Sequence, residues 1–153
     1  MISVEEKDCK VTVFGKGFLG TRIAEELGYN LVGREISALN LRNFLDDKRP
    51  EVVINAIGKT GKPNIDWCED NKEEAILSNV AVAVNLCVEC SKRNIYFVHL
   101  SSGCIYEGDN KGKGFSEEDE PNFDGSFYSR SKIMAEQILK EFPCLILRYL
   151  RVI

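Results

Sequence analysis

The sequence predicts an α/β protein built on a doubly wound parallel sheet. Short β-branched runs alternate with runs of helical period along all 153 residues, which implies parallel strands with helices on both faces. The first strand-like run ends in a glycine-rich turn that opens a helix-like run. No repeat, linker or low-complexity segment divides the chain, so a single domain over residues 1–153 is expected.

Residues 10–14 (KVTVF) are a short apolar run ending at glycines, the mark of a buried first strand. Residues 18–27 have helical periodicity and stop at Gly28, a natural C-cap. Residues 29–32 read as the second strand. Residues 41–47 make a short helix, ended by Arg49-Pro50 because the residue before proline avoids the helical region. Residues 51–56 (EVVINA) are a β-branched strand. Residues 71–94 form one long amphipathic helix, or a helix broken near its start. Residues 95–101 (IYFVHLS) are another strand, and 108–126, rich in Gly, Asp, Glu and Asn, a loop. A helix over 127–142 and a strand over 144–150 complete the pattern. In such sheets ligands bind at the carboxyl ends of the strands.

Composition narrows the function classes. The net charge is −4, with both signs interspersed, which argues against nucleic acid as the main partner. A phosphate-bearing small molecule needs only a few local donors and stays open. No apolar run approaches the roughly 20 residues that span a bilayer, and the polar start MISVEEKD is neither a signal nor a transit peptide. The expectation is a cytoplasmic protein with no membrane contact. Its six cysteines, Cys9, Cys68, Cys87, Cys90, Cys104 and Cys144, are then reduced thiols. Cys87 and Cys90 form a C-x-x-C, but no second pair completes a zinc site. They read as two buried helix thiols, and no metal is expected.

The turn Gly15-Lys16-Gly17-Phe18-Leu19-Gly20 is a GxGxxG between a strand and a helix, the context the motif requires. Gly15 allows the tight turn, Gly17 lets the backbone approach a pyrophosphate, and Gly20 lets helix pack on strand. The helix N-terminus, with Phe18 and Leu19, offers amides and partial positive charge to phosphates. This is the Rossmann pattern. After the second strand stands Gly33-Arg34-Glu35. A carboxylate there suits a ribose 2′-hydroxyl and an arginine a 2′-phosphate. Both are present; Arg34 comes first and favours NADP, with NAD left open.

Tyr128-Ser129-Arg130-Ser131-Lys132 is a YxxxK, and positions four apart share one helix face. A lysine ammonium there favours the phenolate and tunes Tyr128 as a proton donor. Ketone reduction needs such a donor, because hydride addition leaves an alkoxide. Ser101-Ser102 follows a core strand at the ligand-binding edge, where a serine hydroxyl can hold a carbonyl near Tyr128.

Glycine turn, EVVINAIG, SSGCIY and YSRSK, in this order and spacing, resemble the extended short-chain dehydrogenase/reductases across essentially the whole chain. The resemblance implies a catalytic triad of Ser102, Tyr128 and Lys132. It implies that Asn55, Ala56 and Ile57 line the cofactor with Tyr128 and Lys132. It matches Asn79 to the family's helix asparagine, which supports the lysine and counts among the cofactor-binding residues. The stretches TGKPNIDWCE, SSGCIYEGD and GFSEEDEPNFDGSFYSRSK are similar to nucleotide-sugar 3,5-epimerase/4-reductases that make UDP-L-rhamnose. They are less similar to the dTDP-4-dehydrorhamnose reductases, which usually carry Thr-Asp-Tyr where this chain has Ser102-Gly103-Cys104. One departure is in the turn. Relatives usually place two residues between the first two glycines, and this chain has only Lys16.

The implied reaction is NAD(P)H-dependent reduction of a nucleotide-linked 4-keto-6-deoxy sugar, coupled to 3,5-epimerisation to give nucleotide-L-rhamnose. Within it Cys104 is a proton-exchanging group beside the carbonyl; its plain alternative is a small filler after the strand. A reductase without epimerase activity and a non-catalytic nucleotide-binding subunit are the competing readings, the second disfavoured by the intact triad. Relatives add a small C-terminal sugar-binding domain, so that domain is expected to be missing here. They also often form homodimers through the helices carrying Asn79 and Tyr128. His99 reads as a packed core residue. Asp66 and Trp67 read either as near the substrate or as a capped helix start, and 116–120 (SEEDE) as a solvated loop.

Overall fold

The structure, a computed structural model, describes residues 10–33 and 38–150. Arg34 and Cys9 lie outside the described residues. Five parallel strands form one sheet in the order β2-β1-β3-β4-β5. They are β1 Val11–Phe14, β2 Asn30–Val32, β3 Val52–Asn55, β4 Tyr96–Ser102 and β5 Cys144–Tyr149. The doubly wound expectation holds. β2 lies on one side of β1 and β3 on the other, so the winding reverses between β1 and β3. Phe14 pairs with Asn55, and Asn55 with His99, which lines up the carboxyl ends of the central strands.

Helices α1 Phe18–Leu27, α2 Ala38–Lys48, α3 Trp67–Asp70, α4 Lys72–Ile76, α5 Val82–Ser91 and α6 Phe127–Leu139 connect the strands. α1 ends as expected at Gly28, in the left-handed region at φ 67°, with its N–H on the Ala24 carbonyl. The span 71–94 differs from a plain helix. α3 is a separate turn before it, and Asn71 breaks the chain at φ −127° while its side chain donates to the Trp67 carbonyl at 2.9 Å. A π-turn, Leu77–Ala81, then joins α4 to α5.

Phe14, Val53 and Phe97 from three strands meet Leu41 and Leu45 of α2, Leu86, Cys87 and Cys90 of α5, and Leu139 of α6 in one core. Each such side chain contributes roughly 1.5–3 kcal/mol on burial. Cys87 and Cys90 are the buried thiols expected, each pushed up to about 12 by burial. Cover on both faces stops at β5. Cys144, Ile146 and Arg148 point inward, while Leu145, Leu147 and Tyr149 on the other pleat are exposed. The run Lys72–Ser91 also corrects an expectation: by length and composition alone it could cross a bilayer. Half of it is buried in the fold, however, and its apolar side chains supply the sheet's core.

Glu89 is only 2% exposed. It accepts from Arg93 at 2.7 Å, Lys92 at 3.0 Å and Arg42 at 3.3 Å, and Arg93 reaches on to Asp46 of α2 at 2.7 Å. The Arg93 and Lys92 hydrogen bonds hold the Glu89 carboxyl at about 2, below its ordinary 4.5, against the opposing effect of burial. A lowered folded-state value means the stabilisation is complete above about pH 4.5 and is lost as pH falls toward 2. Glu89→Gln should therefore cost about 1–3 kcal/mol at neutral pH and much less near pH 2. Thermal melts at the two pH values check this; equal losses at both would reject it.

Candidate active site

The glycine turn sits where the winding reverses. Gly15 adopts φ 115°, and a Cβ on it would lie 2.8 Å from the backbone of Ala56 and Ile57. A Cβ on Gly20 would lie 1.9 Å from the Gly15 carbonyl oxygen. Both glycines are thus required by backbone packing. Gly17 is different, because a Cβ there would meet nothing within 4 Å. It faces open space at the start of α1, whose first turn holds no acidic residue and no side-chain cap. That end keeps the partial positive charge an anion needs.

Ser102 closes β4. Its Oγ accepts from Cys104 N at 3.1 Å, capping the 3-10 turn Gly103–Ile105, and it shares a hydrogen bond with the Tyr128 phenol. The start of α6 is fixed from two sides. Ser126 Oγ accepts from Ser129 N at 3.0 Å, and Glu69 accepts from Phe127 N at 2.5 Å. Tyr128 is therefore held, 9% exposed. Lys132, one turn on and buried, donates to the Leu100 carbonyl at 3.2 Å.

Burial raises the Tyr128 phenol above its ordinary value; the Ser102 hydrogen bond opposes this, and Cys104 and Cys68 add to it. Burial lowers Lys132 to about 8, with Glu136 pulling the other way. Burial is thus the largest influence on both groups.

Asn79 occupies the π-turn, a wide turn often found at functional positions. Its Oδ1 accepts from Lys59 N at 2.6 Å, and its Nδ2 donates to the Lys59 carbonyl at 3.1 Å and to Ser131 Oγ at 3.0 Å. Ser131 Oγ donates in turn to the Tyr128 carbonyl at 2.7 Å. Asn79 so ties the loop after β3 to α6. Asn55 plays a parallel part. Its Oδ1 accepts from Ile57 N and its Nδ2 donates to His99 Nδ1, both at 3.0 Å. His99 is a neutral core residue, lowered to about 3 by burial and stacked on Phe97. Asn55 and Asn79 are both fully buried, so they brace the cavity wall and do not line it.

Turn and cluster open into one cavity of about 340 Å³. Gly17, Phe18, Leu19, Ala56, Ile57, Ser102, Cys104, Tyr128 and Lys132 line it, while Gly15 and Gly20 stand behind. Gly58, Thr60, Ile65, Leu100, Tyr149 and Leu150 also line it and were not foreseen. Gly58 lies in EVVINAIG, and Thr60 and Ile65 in TGKPNIDWCE, motifs that carry the resemblance; Leu100, Tyr149 and Leu150 carried no such mark. A second cavity of about 930 Å³ adjoins the first, sharing Ile65, Cys104 and Leu150, with Tyr106, Phe115 and Arg148 in its wall. Cys104 thus stands at the junction. Trp67 lines neither cavity; it packs on Gly61 beneath the Lys59 ammonium, 4.8 Å from its ring. The Asp66 side chain does not cap α3. No group of three or more His, Cys, Asp or Glu residues able to hold a metal occurs among the described residues.

A doubly wound sheet with this turn and a Ser-Tyr-Lys cluster at its carboxyl edge defines a class of nucleotide-dependent dehydrogenase domains. The chain belongs to the NAD dependent epimerase/dehydratase family, whose model matches residues 11–151. It is 39% identical over 153 residues to the trifunctional UDP-glucose 4,6-dehydratase/UDP-4-keto-6-deoxy-D-glucose 3,5-epimerase/UDP-4-keto-L-rhamnose-reductase of Arabidopsis thaliana, covering 90% of this chain and 22% of that protein. It is 44% identical over 103 residues to the bifunctional dTDP-4-dehydrorhamnose 3,5-epimerase/dTDP-4-dehydrorhamnose reductase of the same plant, covering 64% and 34%. The crystal structure of the L780 UDP-rhamnose synthase from Acanthamoeba polyphaga mimivirus superposes with a TM-score of 0.79 at 31% identity, over 92% of this chain and 55% of that one. The chain thus spans about half the length of that synthase and less of the plant proteins. The resemblance read from the motifs holds.

Proposed function

We propose that this chain is the cofactor-binding and catalytic part of an NADPH-dependent reductase of nucleotide-linked 4-keto-6-deoxy sugars, with 3,5-epimerisation in the same site. The observation that carries this reading is the convergence of Ser102, Tyr128 and Lys132 on the cavity beside Gly17. The relatives named above act on such sugars, as their names state. The turn fits a dinucleotide: Gly17 leaves room for phosphates, and the α1 start is free of carboxylates. When bound, the nicotinamide supplies the hydride. Ser102 holds the sugar carbonyl, Tyr128 gives its phenolic proton to the forming alkoxide, and Lys132 supports that transfer.

Gly17→Ala should cost at most about 1 kcal/mol in stability, yet weaken NADPH binding roughly tenfold or more by filling the phosphate approach. A fluorescence titration with native affinity in the variant would argue against the turn's role. Arg34 is assigned the 2′-phosphate, so Arg34→Ala should raise the Michaelis constant for NADPH far more than for NADH; equal effects would remove the assignment. The reading also expects a homodimer through the helices carrying Asn79 and Tyr128, where Leu77, Met134 and Ile138 are exposed; sedimentation as a monomer would reject it. The deciding experiment is NADPH titration followed by an assay of the natural full-length protein on UDP-4-keto-6-deoxyglucose. NADPH consumption is expected. Tight NADPH binding without consumption would leave a binding subunit in place of an enzyme.

A further inference from the structure

We propose that the buried Glu136–Arg148 pair is a positioning unit that fixes loop 106–124, a wall of the larger cavity, to the strand and helix carrying Ser102 and Tyr128. Glu136 lies one turn beyond Lys132 on the same face of α6 and is 1% exposed. Two strands meet α6 on its carboxylate. Ser101 of β4, the neighbour of Ser102, donates its hydroxyl to Oε1. Arg148 of β5 donates Nε and Nη2 to Oε2 at 3.2 and 2.9 Å.

The guanidinium then reaches the loop with its other edge. Arg148 Nη1 donates to the Tyr106 hydroxyl and, at 3.3 Å each, to the carbonyls of Glu117 and Asp119. The Tyr106 hydroxyl donates to the Asp119 carbonyl at 2.7 Å. The Tyr106 ring lies 5.4 Å from the guanidinium carbon and stacks on Phe115 with centroids 4.4 Å apart. Tyr106, Phe115 and Glu117 all line the larger cavity.

Stability alone does not explain a charge pair at this place, since apolar residues of similar volume commonly serve a fold as well or better. A planar fork with donors on two edges does something apolar packing does not: it fixes direction. The loop, which has no helix or strand of its own, is thereby given one orientation relative to Ser102 and Tyr128. The inference rests on the reading above, in which the nucleotide-linked sugar seats in the larger cavity.

The test is the double variant Glu136→Gln/Arg148→Met, which removes both charges at nearly constant shape and so keeps the fold. Its melting temperature and NADPH affinity should stay near native. Backbone amides of 106–119 should exchange with solvent roughly tenfold faster or more. The KM for the keto sugar should rise about tenfold or more, with a smaller change in kcat. Native exchange and native KM in this variant would reduce the pair to packing and overturn the inference. Should the double variant fail to fold, Arg148→Lys decides, because it keeps the ion pair but loses the second edge; unchanged exchange of 106–119 would then overturn the inference. Hydrogen exchange needs no substrate. A native protein that leaves the keto sugar untouched would therefore defeat the functional reading, while the exchange result would still judge this one.

Discussion

Replacing Tyr128 with Phe is expected to cut reduction of the keto sugar by roughly 10²–10⁴-fold while leaving NADPH binding close to native. Hydride addition to a ketone leaves an alkoxide that must take up a proton. The Tyr128 phenol is the group placed to give it, since it faces the cavity and hydrogen-bonds Ser102. Burial, the largest influence on it, keeps that proton in place at neutral pH. The variant loses one hydroxyl. Ser102 keeps its other partner, the Cys104 N–H at 3.1 Å, so the loss of stability should be about 1 kcal/mol. Lys132 gives the reaction a pH dependence of known sign. Burial lowers its folded value to about 8. The ammonium is present below that value and lost as pH rises through it, so reduction should decline over the same interval. Initial rates across pH and a thermal melt of the variant check both points. A Tyr128→Phe enzyme that keeps a tenth of the native rate would remove Tyr128 from its role.

The elements legible in the sequence are those whose local chemistry agrees with the fold. β1, the glycine turn and α1 were readable because an apolar run, three glycines and a C-cap glycine all pointed one way. α3 was not, because four residues are too few to show a period. Nor was the π-turn, since one extra residue in a helix leaves no mark on composition. At the site, residue types were read more surely than their surroundings. Asn55 and Asn79 were expected at the cofactor, but both turn inward and brace the backbone of Ile57 and Lys59. The spacing of Tyr128 and Lys132 puts them on one helix face, whereas the burial that raises the phenol is a property of tertiary packing. Glu136 could be placed on the Lys132 face by spacing, whereas its partner Arg148 comes from the next strand and is found only once α6 packs on β5.

Cys104→Ser should abolish solvent deuterium exchange at carbons 3 and 5, by roughly 10²–10⁴-fold, and spare reduction of a ketone already epimerised. Protons beside a ketone are acidic enough for a protein base, and a thiolate is one; a hydroxyl is a far weaker acid than a thiol and cannot replace it. The location supports the assignment. Cys104 stands where the two cavities join. Its N–H is held by Ser102 Oγ at 3.1 Å and its carbonyl by Ser129 Oγ at 2.6 Å. The serine that would hold the sugar carbonyl therefore also fixes the backbone of the cysteine that would work beside it. A general loss of structure would depress exchange and reduction together, so the split between the two activities is the informative result. Deuterium incorporation followed by NMR, run beside NADPH oxidation on the epimerised ketone, reads both. Should exchange in the variant match the native protein, Cys104 returns to packing against Tyr128 and Cys68. Should the native protein itself show no exchange, the site is a reductase without epimerase activity.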